Sequence, residues 1–310
     1  MKEEAIILKL HGYNKLNSMN QLSIIIVTYN SYKLIFDCLN SIFKFNDIED
    51  RLEVIIVDNG SSDQARMFYD VSKTFGTKVK LIDSGGNLGY GRGNNIGISH
   101  TSADVVVVMN PDVRIVEPIF SKLYDSFTDL SIGLIGVSFV DGSSPYYFKP
   151  EYRRIYNQLF FRFYCKRNRF DAIKMYMSGS FLAFRRKAFY EAGTFDENIF
   201  MYSEEADISN RILASGYKVV WRPEFYVQHL PHSIDFNKTL QDYGTRSFLY
   251  YCKKYNINVN TAYKREIFVL KIKYLISCMI GSKQKRISFK NRLEYEMETF
   301  KKISNENLSN

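Results

Sequence analysis

The sequence predicts an α/β fold, in which helices flank a mostly parallel central sheet and a helical C-terminal extension follows. Two observations predict it. Up to about residue 112, short continuous apolar runs alternate with helical segments, which is typical of parallel strands covered on both faces. The hydrophobic fraction of 45% in 310 residues is enough for a core, and it excludes a mainly disordered chain.

Strands and helices are predicted in alternation along this part of the chain. The strands are expected at Leu22–Thr28, Leu52–Asp58, residues 79–82 and Val105–Met109. The helices are expected over residues 31–45, after residue 62 and near residues 91–100, with Ser31 and either Ser61 or Ser62 as N-caps. We further expect an N-terminal extension at residues 1–20, a domain over residues 21–255, and a basic helical extension over residues 256–310.

Small polar residues follow the C-terminal ends of these strands. They are Thr28, Tyr29 and Asn30; Asp58, Asn59 and Gly60; Asn87; and Asn110, Pro111 and Asp112. Open parallel sheets bind ligands at this edge. Turn and capping chemistry would explain any one of the four groups, but together they predict a ligand site.

A glycine-rich loop over residues 85–97 invites comparison with dinucleotide-binding loops. It does not satisfy the Gly-x-Gly-x-x-Gly pattern, because Asn94 or Ile96 stands where the third glycine belongs, and it follows the third strand instead of the first. The sequence therefore disfavours a hydride-transfer enzyme. Backbone N–H groups of such a loop, with Arg92, can still bind a diphosphate at a helix start.

Three carboxylates crowd into four residues at Glu204, Glu205 and Asp207. Mutual repulsion can raise the pKa of one of them toward the range of a general base. Helical spacing predicts that Glu204 and Asp207 share a face while Glu205 points elsewhere. Favourable interaction with the helix dipole is the alternative role for all three. His229 is a candidate metal ligand, with His232 as its local rival and a structural histidine as the alternative.

The charge is unevenly distributed. The net charge is +9, yet residues 143–190 carry eleven Lys or Arg against two acidic residues, and residues 261–310 carry eleven against five, so the remainder is acidic. The first basic segment is rich in Tyr and Phe, which could stack on nucleic-acid bases, lie at a lipid interface, or pack beneath a solvated basic face. In the second, residues 264–280 predict an interfacial helix with Lys264 and Lys271 on one side, or a helix covering the core.

The sequence also bears on the compartment. Residues 1–20 do not have the pattern of a signal peptide, and no apolar stretch reaches the roughly 20 residues that span a bilayer. The four cysteines lie far apart without a Cys-x-x-Cys motif, which fits a reducing compartment and excludes a cysteine-based zinc site. We therefore expect a cytoplasmic protein that can sit on a membrane.

Eight motifs, taken together, resemble the family 2 glycosyltransferases, which have the Rossmann-like GT-A fold. In the first half they are residues 23–30 (SIIIVTYN), 57–63 (VDNGSSD), 87–89 (NLG) and 109–112 (MNPD). In the second half they are residues 178–182 (SGSFL), 193–197 (GTFDE), 202–207 (YSEEAD) and 227–229 (VQH), in the family's order and spacing. The resemblance covers about residues 21–235, and its Asn-Pro-Asp motif is similar to that of the bacterial rhamnosyltransferase-like branch.

The resemblance implies a nucleotide-sugar half over about residues 21–115 and an acceptor half over about residues 116–255. The residues that it implies in nucleotide-sugar binding are Thr28, Tyr29, Asn30, Asp58, Asn87, Arg92, Asn110 and Asp112. Among these, Asp58 is expected near the base. Asn110 stands where the family has the first aspartate of its Asp-x-Asp motif, so it is expected to contact the ribose or the sugar.

The resemblance also implies the catalytic and metal-binding residues. Asp112 matches the metal-binding aspartate, and His229 matches a histidine that can complete the metal shell. Glu205 stands where most members have the aspartate that acts as catalytic base, and Glu204 and Asp207 are its neighbours. A divalent cation, Mn²⁺ or Mg²⁺, would stabilise the leaving diphosphate, and a single base with in-line attack implies inversion at the anomeric carbon.

The implied function is transfer of a sugar from a dTDP- or UDP-sugar to a lipid-linked saccharide in the synthesis of O-antigen or capsule. Rhamnose is favoured as the sugar, then galactofuranose or another hexose. Such an acceptor implies a place on the cytoplasmic face of the inner membrane, because anionic lipids attract Lys and Arg. The residues leave two alternatives open: a non-catalytic protein that binds nucleotide-sugars or nucleic acid, and a glycoside hydrolase with a suitably spaced carboxylate pair.

Overall fold

A computed structural model describes residues 21–231, 236–280 and 283–306. The expected extension at residues 1–20 and the rival histidine His232 lie outside the described residues. The strands are β1 Leu22–Thr28, β2 Leu52–Asp58, β3 Val79–Asp83, β4 Val105–Met109, β5 Val113–Ile115, β6 Ile132–Phe139, β7 Tyr146–Phe148, β8 Met175–Met177, β9 Phe181–Arg185 and β10 Lys218–His229.

Helices occupy most of the remaining described chain. They are α1 Tyr32–Lys44, α2 Gln64–Phe75, α3 Tyr90–Ser99, α4 Phe120–Asp125, α5 Ile155–Leu159, α6 Phe161–Lys166, α7 Arg186–Glu191, α8 Glu204–Ala214, α9 Lys238–Lys254, α10 Val259–Ile280 and α11 Lys283–Glu306. The four predicted strands and the helices expected over residues 31–45 and 91–100 are confirmed to within one or two residues.

Eight strands form one sheet in the order β3-β2-β1-β4-β9-β6-β10-β5. Six of them run in the same direction, while β9 and β5 run antiparallel to their neighbours. The prediction of a mostly parallel sheet is therefore confirmed, but the doubly wound parallel arrangement is interrupted in the second half of the chain. The strands β7 and β8 form a separate antiparallel pair.

The two reversed strands bring extra residues to the functional edge of the sheet. Because β9 runs opposite to β4, its first residue, Phe181, pairs with the last residue of β4, Met109. Likewise, the first residue of β5, Val113, pairs with His229 at the end of β10. One edge of the sheet thus collects the ends of the parallel strands and the starts of the two reversed strands.

Apolar residues of the sheet alternate between two buried clusters, one on each face. On β1, Ile24 and Ile26 belong to the cluster that α1 and α2 cover, while Ile25 packs on the other face with Ile98 of α3. Alternation of this kind follows from the two-residue period of a strand. Burial on both faces explains why the strands are continuous apolar runs instead of alternating ones.

The prediction that serine side chains cap α1 and α2 is wrong, because the serines form other hydrogen bonds. The side chain of Ser31 donates to the carbonyl of Tyr29 instead of capping α1. The helix α2 begins at Gln64, with Asp63 at its N-cap position, and Ser61 instead donates to the carboxylate of Asp58. The serines therefore shape the loops at the strand ends, where a ligand site was predicted.

The first basic segment is not a helix pair on its own. Its aromatic side chains Tyr146 and Phe148 lie buried in β7, where they pack against Phe161 of α6. The rings of Tyr156, Phe160 and Phe163 remain exposed on α5, α6 and the residue between them. Part of the aromatic content therefore belongs to the core, and part of it lies at the surface.

The three C-terminal helices pack beside the sheet domain. Helix α9 contacts α8 through Lys254, whose ammonium lies 2.6 Å from Asp196 Oδ2 and 2.6 Å from Asp207 Oδ1. Helices α10 and α11 pack along each other, and Glu266 of α10 lies 3.7 Å from Arg292 of α11. Across the described part of the chain, no helix has both the length and the apolar character needed to cross a bilayer.

Replacing Lys254 should loosen the contact between α9 and α8. Lys254→Ala leaves Asp196 without its cation and Asp207 with Arg211 alone, and loss of hydrogen bonds to charged groups should lower the free energy of unfolding by about 2 kcal/mol. Urea unfolding followed by circular dichroism measures this change. The exposed neighbour Lys253→Ala is the matched control, and an equal loss of stability in both variants would contradict the role given to Lys254.

Candidate active site

Asp112 and His229 form the centre of the functional edge. Asp112 immediately precedes β5 and His229 ends β10, and the pairing of these strands holds the two side chains side by side. Asp112 Oδ2 lies 3.6 Å from His229 Nε2, and the side chains are only 8% and 17% exposed. The hydroxyl of Ser180 lies 3.3 Å from the same imidazole nitrogen.

This pair has the donor chemistry of a small divalent cation site. It offers one carboxylate and one imidazole, and interaction with Asp112 raises the pKa of His229, so a cation here would compete with a proton on the ring. Within the described ranges, no three Asp, Glu, His or Cys side chains gather around a point that could hold a metal. The pair therefore fits an ion that takes its other ligands from phosphate and water.

Asp58 organises the loops at the ends of β1 and β2. Its carboxylate is fully buried and accepts from Thr28 Oγ1 at 3.0 Å, Ser61 Oγ at 2.6 Å and Ser61 N–H at 2.8 Å. Asn30 is tied to the same loop, because its Oδ1 accepts from the backbone and the hydroxyl of Ser62 at 3.0 and 3.1 Å. Tyr29, which lies between Thr28 and Asn30 in the chain, is exposed.

The glycine-rich loop is fixed by asparagines. Asn59 donates to Asn87 Oδ1 and to the Gly89 carbonyl, both at 3.2 Å, and its own Oδ1 accepts from Leu88 N–H. Gly89 has a φ of +87° and lies against the backbone of Phe200, where a Cβ has no room. Only glycine therefore allows α3 to start this close to the second half of the chain.

Arg92 makes an ion pair away from Asp112 and His229. On α3, its Nε lies 3.1 Å from Glu197 Oε2, and both side chains are about half exposed. The structure thus places Arg92 at the surface between α3 and the loop before α8. The nucleotide contact implied for Arg92 stays a prediction.

A cavity of about 710 Å³ opens beside the Asp112–His229 pair. Asn110 and His229 line it on one side, and Glu204 and Glu205 line it on another. Tyr90 lies between these sides and donates to the carbonyl of Gly179 at 2.7 Å. The candidate base, the candidate metal ligand and the polar end of β4 therefore face one space.

Glu204 and Glu205 begin helix α8 after a strained turn. Tyr202 and Ser203 both adopt left-handed backbone conformations, with φ of 69° and 75°, which side chains disfavour. The backbone N–H of Gly179 donates to the Glu205 carboxylate, and a Cβ at Gly179 would overlap that carboxylate. Among the described residues, no donor reaches Oε2 of Glu204, which is 3% exposed.

Burial raises the pKa of both glutamates. For Glu204 burial is the largest cause, repulsion from Glu205 adds to it, and the pKa lies well above its ordinary value. For Glu205 burial also raises the pKa, but hydrogen bonds from backbone N–H groups, including that of Gly179, oppose the change. Burial and mutual repulsion therefore favour a single proton shared by the pair.

Asp207 does not belong with these two carboxylates. Its side chain is fully buried on the far side of α8, 2.6 Å from both Arg211 and Lys254. The predicted face shared by Glu204 and Asp207 is wrong, because Glu204 and Glu205 both line the cavity and Asp207 does not. Since two cations already hold Asp207, the structure gives it a role in packing α8 instead of a place beside the acceptor.

Several cavity residues were given no role by the sequence. Tyr90, the turn at residues 178–180, and the cations Arg153, Lys273 and Arg292 all line the cavity. The turn is part of a family motif, but its contact with Glu205 depends on the direction of β9. The cations are indistinguishable in sequence from the many exposed Lys and Arg of the two basic segments.

Comparisons with known proteins agree with this geometry. The sequence model described as Glycosyl transferase family 2 matches residues 23–193. The chain is 34% identical over 110 residues to the low-salt glycan biosynthesis hexosyltransferase Agl10 of Haloferax volcanii, covering 34% of this chain and 32% of that protein. It is 26% identical over 215 residues to N-acetylglucosaminyl-diphospho-decaprenol L-rhamnosyltransferase of Mycobacterium tuberculosis, covering 57% of this chain and 66% of that protein. These matches thus span less than two thirds of either relative.

Solved structures show the same fold. A mannosyltransferase from Pyrobaculum calidifontis, solved with GDP-Man and Mn²⁺, aligns with a TM-score of 0.52 and 16% identity over 91% of this chain and 73% of its own. GalNAc-T7, solved with UDP, GalNAc and Mn²⁺, aligns with a TM-score of 0.53 and 17% identity over 69% of this chain and 44% of its own. The predicted GT-A architecture is confirmed, and the chain belongs to the family 2 glycosyltransferases.

Proposed function

We propose that this protein is an inverting, metal-dependent glycosyltransferase that moves a sugar from a dTDP- or UDP-sugar to a lipid-linked saccharide in bacterial surface polysaccharide synthesis. One observation carries the proposal: Glu205 and His229 line the same cavity at the strand ends, and Asp112 lies 3.6 Å from His229. A base and a cation site on two sides of one space are what transfer from a nucleoside diphosphate to a hydroxyl requires.

The donor would bind along the ends of β1, β2 and β4. Thr28, Tyr29, Asn30 and Asp58 form the loops at the nucleoside end, with Asn87 and Arg92 farther along the glycine-rich loop. Asn110, which follows β4 and lines the cavity, would contact the ribose or the sugar. Rhamnose is the favoured sugar because a relative is named as an L-rhamnosyltransferase, with galactofuranose or another hexose next.

Asp112 and His229 would hold the cation, Mn²⁺ or Mg²⁺. Both solved relatives contain Mn²⁺, and an imidazole ligand favours Mn²⁺ over Mg²⁺. The ion would supply charge stabilisation to the leaving diphosphate. Ser180, whose hydroxyl lies 3.3 Å from the imidazole of His229, would orient the ring.

Glu205 is the proposed general base. We place the shared proton on Glu204, because repulsion from Glu205 adds to the effect of burial there and Oε2 of Glu204 has no donor among the described residues, so Glu205 keeps its negative charge. The raised pKa of Glu205 makes its carboxylate a stronger base, which favours transfer of the acceptor hydroxyl's proton to it. Glu204 would then be a neutral neighbour that donates a hydrogen bond into the cavity.

A membrane surface would bring the lipid-linked acceptor to the cavity. Helix α10 exposes Lys264, Phe268, Lys271, Leu275 and Met279 along one face, and Leu275 and Met279 are 60% and 75% exposed. A face that combines cations with large apolar side chains fits an anionic lipid surface. We therefore propose a GT-A domain at residues 21–255 and an extension at residues 256–310 that contacts the cytoplasmic face of the inner membrane.

The function is tested with a panel of nucleotide-sugars, following release of nucleoside diphosphate. The wild-type protein should turn over one dTDP- or UDP-sugar with Mn²⁺ and lose this activity with EDTA. Glu205→Gln and Asp112→Asn should each lower kcat on the order of 10² to 10⁴-fold, because each removes the base or a metal ligand.

Asp104→Asn is the matched control, since Asp104 is exposed at the opposite edge of the sheet. Binding of UDP and dTDP should be measured by calorimetry with and without Mn²⁺ on the same samples. Metal-dependent nucleotide binding without turnover of any donor would indicate the non-catalytic alternative, and full activity in Glu205→Gln would remove Glu205 as the base.

A methyl group added at residue 179 should displace the Glu205 carboxylate and so impair the base, although Glu205 itself is unchanged. Gly179→Ala places a Cβ where the Glu205 carboxylate lies, so the carboxylate must move and kcat should fall on the order of 10²-fold. The double variant Gly179→Ala/Glu205→Asp shortens the side chain and restores room. In a double-mutant cycle the two substitutions should be strongly non-additive; simple additivity would show that Gly179 acts elsewhere.

The raised pKa of Glu204 predicts how stability depends on pH. In the unfolded chain Glu204 ionises near its ordinary pKa of 4.5, while the folded protein keeps its proton to higher pH. The folded state therefore binds more protons above this pH, and stability falls as pH rises. Glu204→Gln should be more stable than the wild type at pH 8 and about equal to it near pH 4.

Urea unfolding at several pH values measures this difference. Glu224→Gln, at a carboxylate that is more than half exposed, is the matched control. If Glu204→Gln destabilised the protein equally at pH 4 and pH 8, the buried protonated state of Glu204 would be excluded.

A further inference from the structure

The cavity has a second, positively charged wall. Besides Glu204 and Glu205, it is lined by Arg153 from the first basic segment, Lys273 from α10 and Arg292 from α11. Three segments that are distant in sequence therefore bring one cation each to the same space. A smaller adjoining cavity of about 390 Å³ shares Arg153 and Arg292 with it.

Arg153 is held in place by neutral partners, and Arg292 lies beside one carboxylate. Arg153 donates to the Phe148 carbonyl at 3.1 Å and to the Tyr176 hydroxyl at 3.3 Å, which fixes the guanidinium at the wall. Arg292 lies 3.7 Å from Glu266, which is longer than a hydrogen bond, and its buried Nε has no acceptor among the described residues. Donors at this wall are therefore left for a ligand.

The nearby carboxylates neutralise the wall only in part. They are Glu266 and Glu296. Burial raises the pKa of Glu296 to about 7, so this carboxyl group is only partly ionised at neutral pH. The pKa of Lys273 is lowered by loss of water around it and by repulsion from Arg292 and Arg153, while Glu266 opposes this change. Arg153, Lys273 and Arg292 line the same cavity, so all three face the space in which one anion could lie.

We propose that Arg153, Lys273 and Arg292 bind the phosphate or diphosphate group that joins the acceptor saccharide to its lipid. The inference rests on the proposed function, since it assigns one end of that acceptor. Guanidinium groups match phosphate oxygens geometrically, and Lys273 adds a further cation. The cavity then has carboxylates where a sugar hydroxyl reacts and cations where the anionic link lies.

The position of Lys273 favours a lipid over a free anion. Lys273 and Glu266 are seven residues apart on one face of α10, and both line the cavity. The exposed apolar residue Ile276 lies one turn beyond Lys273 on the same side of α10, and Leu275 and Met279 are exposed next to it. An acceptor whose phosphate lies at Lys273 can therefore extend its hydrocarbon chain along an apolar surface.

Farnesyl diphosphate, inorganic diphosphate and farnesol are the probes. Binding to the full chain is measured by calorimetry in EDTA, so that no metal recruits diphosphate to Asp112. The wild type should bind farnesyl diphosphate more tightly than inorganic diphosphate, and should bind farnesol far more weakly. Lys273→Gln and Arg292→Gln should each weaken farnesyl diphosphate about tenfold, the loss expected for one hydrogen bond to a charged group.

Lys290→Gln and Lys301→Gln are matched controls, because these lysines are exposed on α11 and do not line the cavity. Equal weakening in controls and test variants, or no binding to the wild type, would overturn the site. Equal affinity for inorganic and farnesyl diphosphate would overturn the lipid as the source of the phosphate. Phosphate binding without turnover of any nucleotide-sugar by the wild type would instead overturn the proposed function and leave the site standing.

Discussion

The reversed direction of β9 is the constraint on which the site depends. A parallel strand between β4 and β6 would bring Arg185 to the functional edge and carry the turn at residues 178–180 to the opposite one. Because β9 runs antiparallel, this turn lies beside Asn110, whose N–H donates to the Ser180 carbonyl at 3.0 Å. Ser180 then contacts His229 and Gly179 contacts Glu205, so one turn positions both a candidate metal ligand and the candidate base.

Much of the first half could be predicted from sequence, because its strands are local apolar runs and their order follows from short crossover connections. The second half could not be derived in this way. The pairing of Val113 with His229 and of Phe181 with Met109 joins residues far apart in the chain, and nothing local specifies it. The motifs that resemble the family include Asn110, Glu205 and His229, which line one cavity, while helical spacing alone placed Glu205 and Asp207 on the wrong faces of α8.

Two kinds of charged side chain line the cavity. The carboxylates come from α8, and the cations come from the basic segments. Loss of water around a charged group disfavours its charged form. Burial therefore raises the pKa of Glu204 and lowers the pKa of Lys273. The C-terminal helices supply Lys273 and Arg292, so they complete the cavity as well as covering the domain. An uneven charge distribution in the sequence thus places both carboxylates and cations around one cavity once the chain is folded.

Helix α8 combines several locally unfavourable features at its first turn. Left-handed conformations at Tyr202 and Ser203 each cost about 1–3 kcal/mol, and two buried carboxylates repel each other beside them. The opposite side of the same helix is held by Asp207, which contacts Arg211 and Lys254, and by the hydroxyl of Tyr255 at 2.8 Å from Asp207. The three acidic residues of α8 therefore have different roles. Asp207 stabilises the helix through cations, and this stability allows Glu204 and Glu205 to face the cavity without an ion pair to any cation of the described residues.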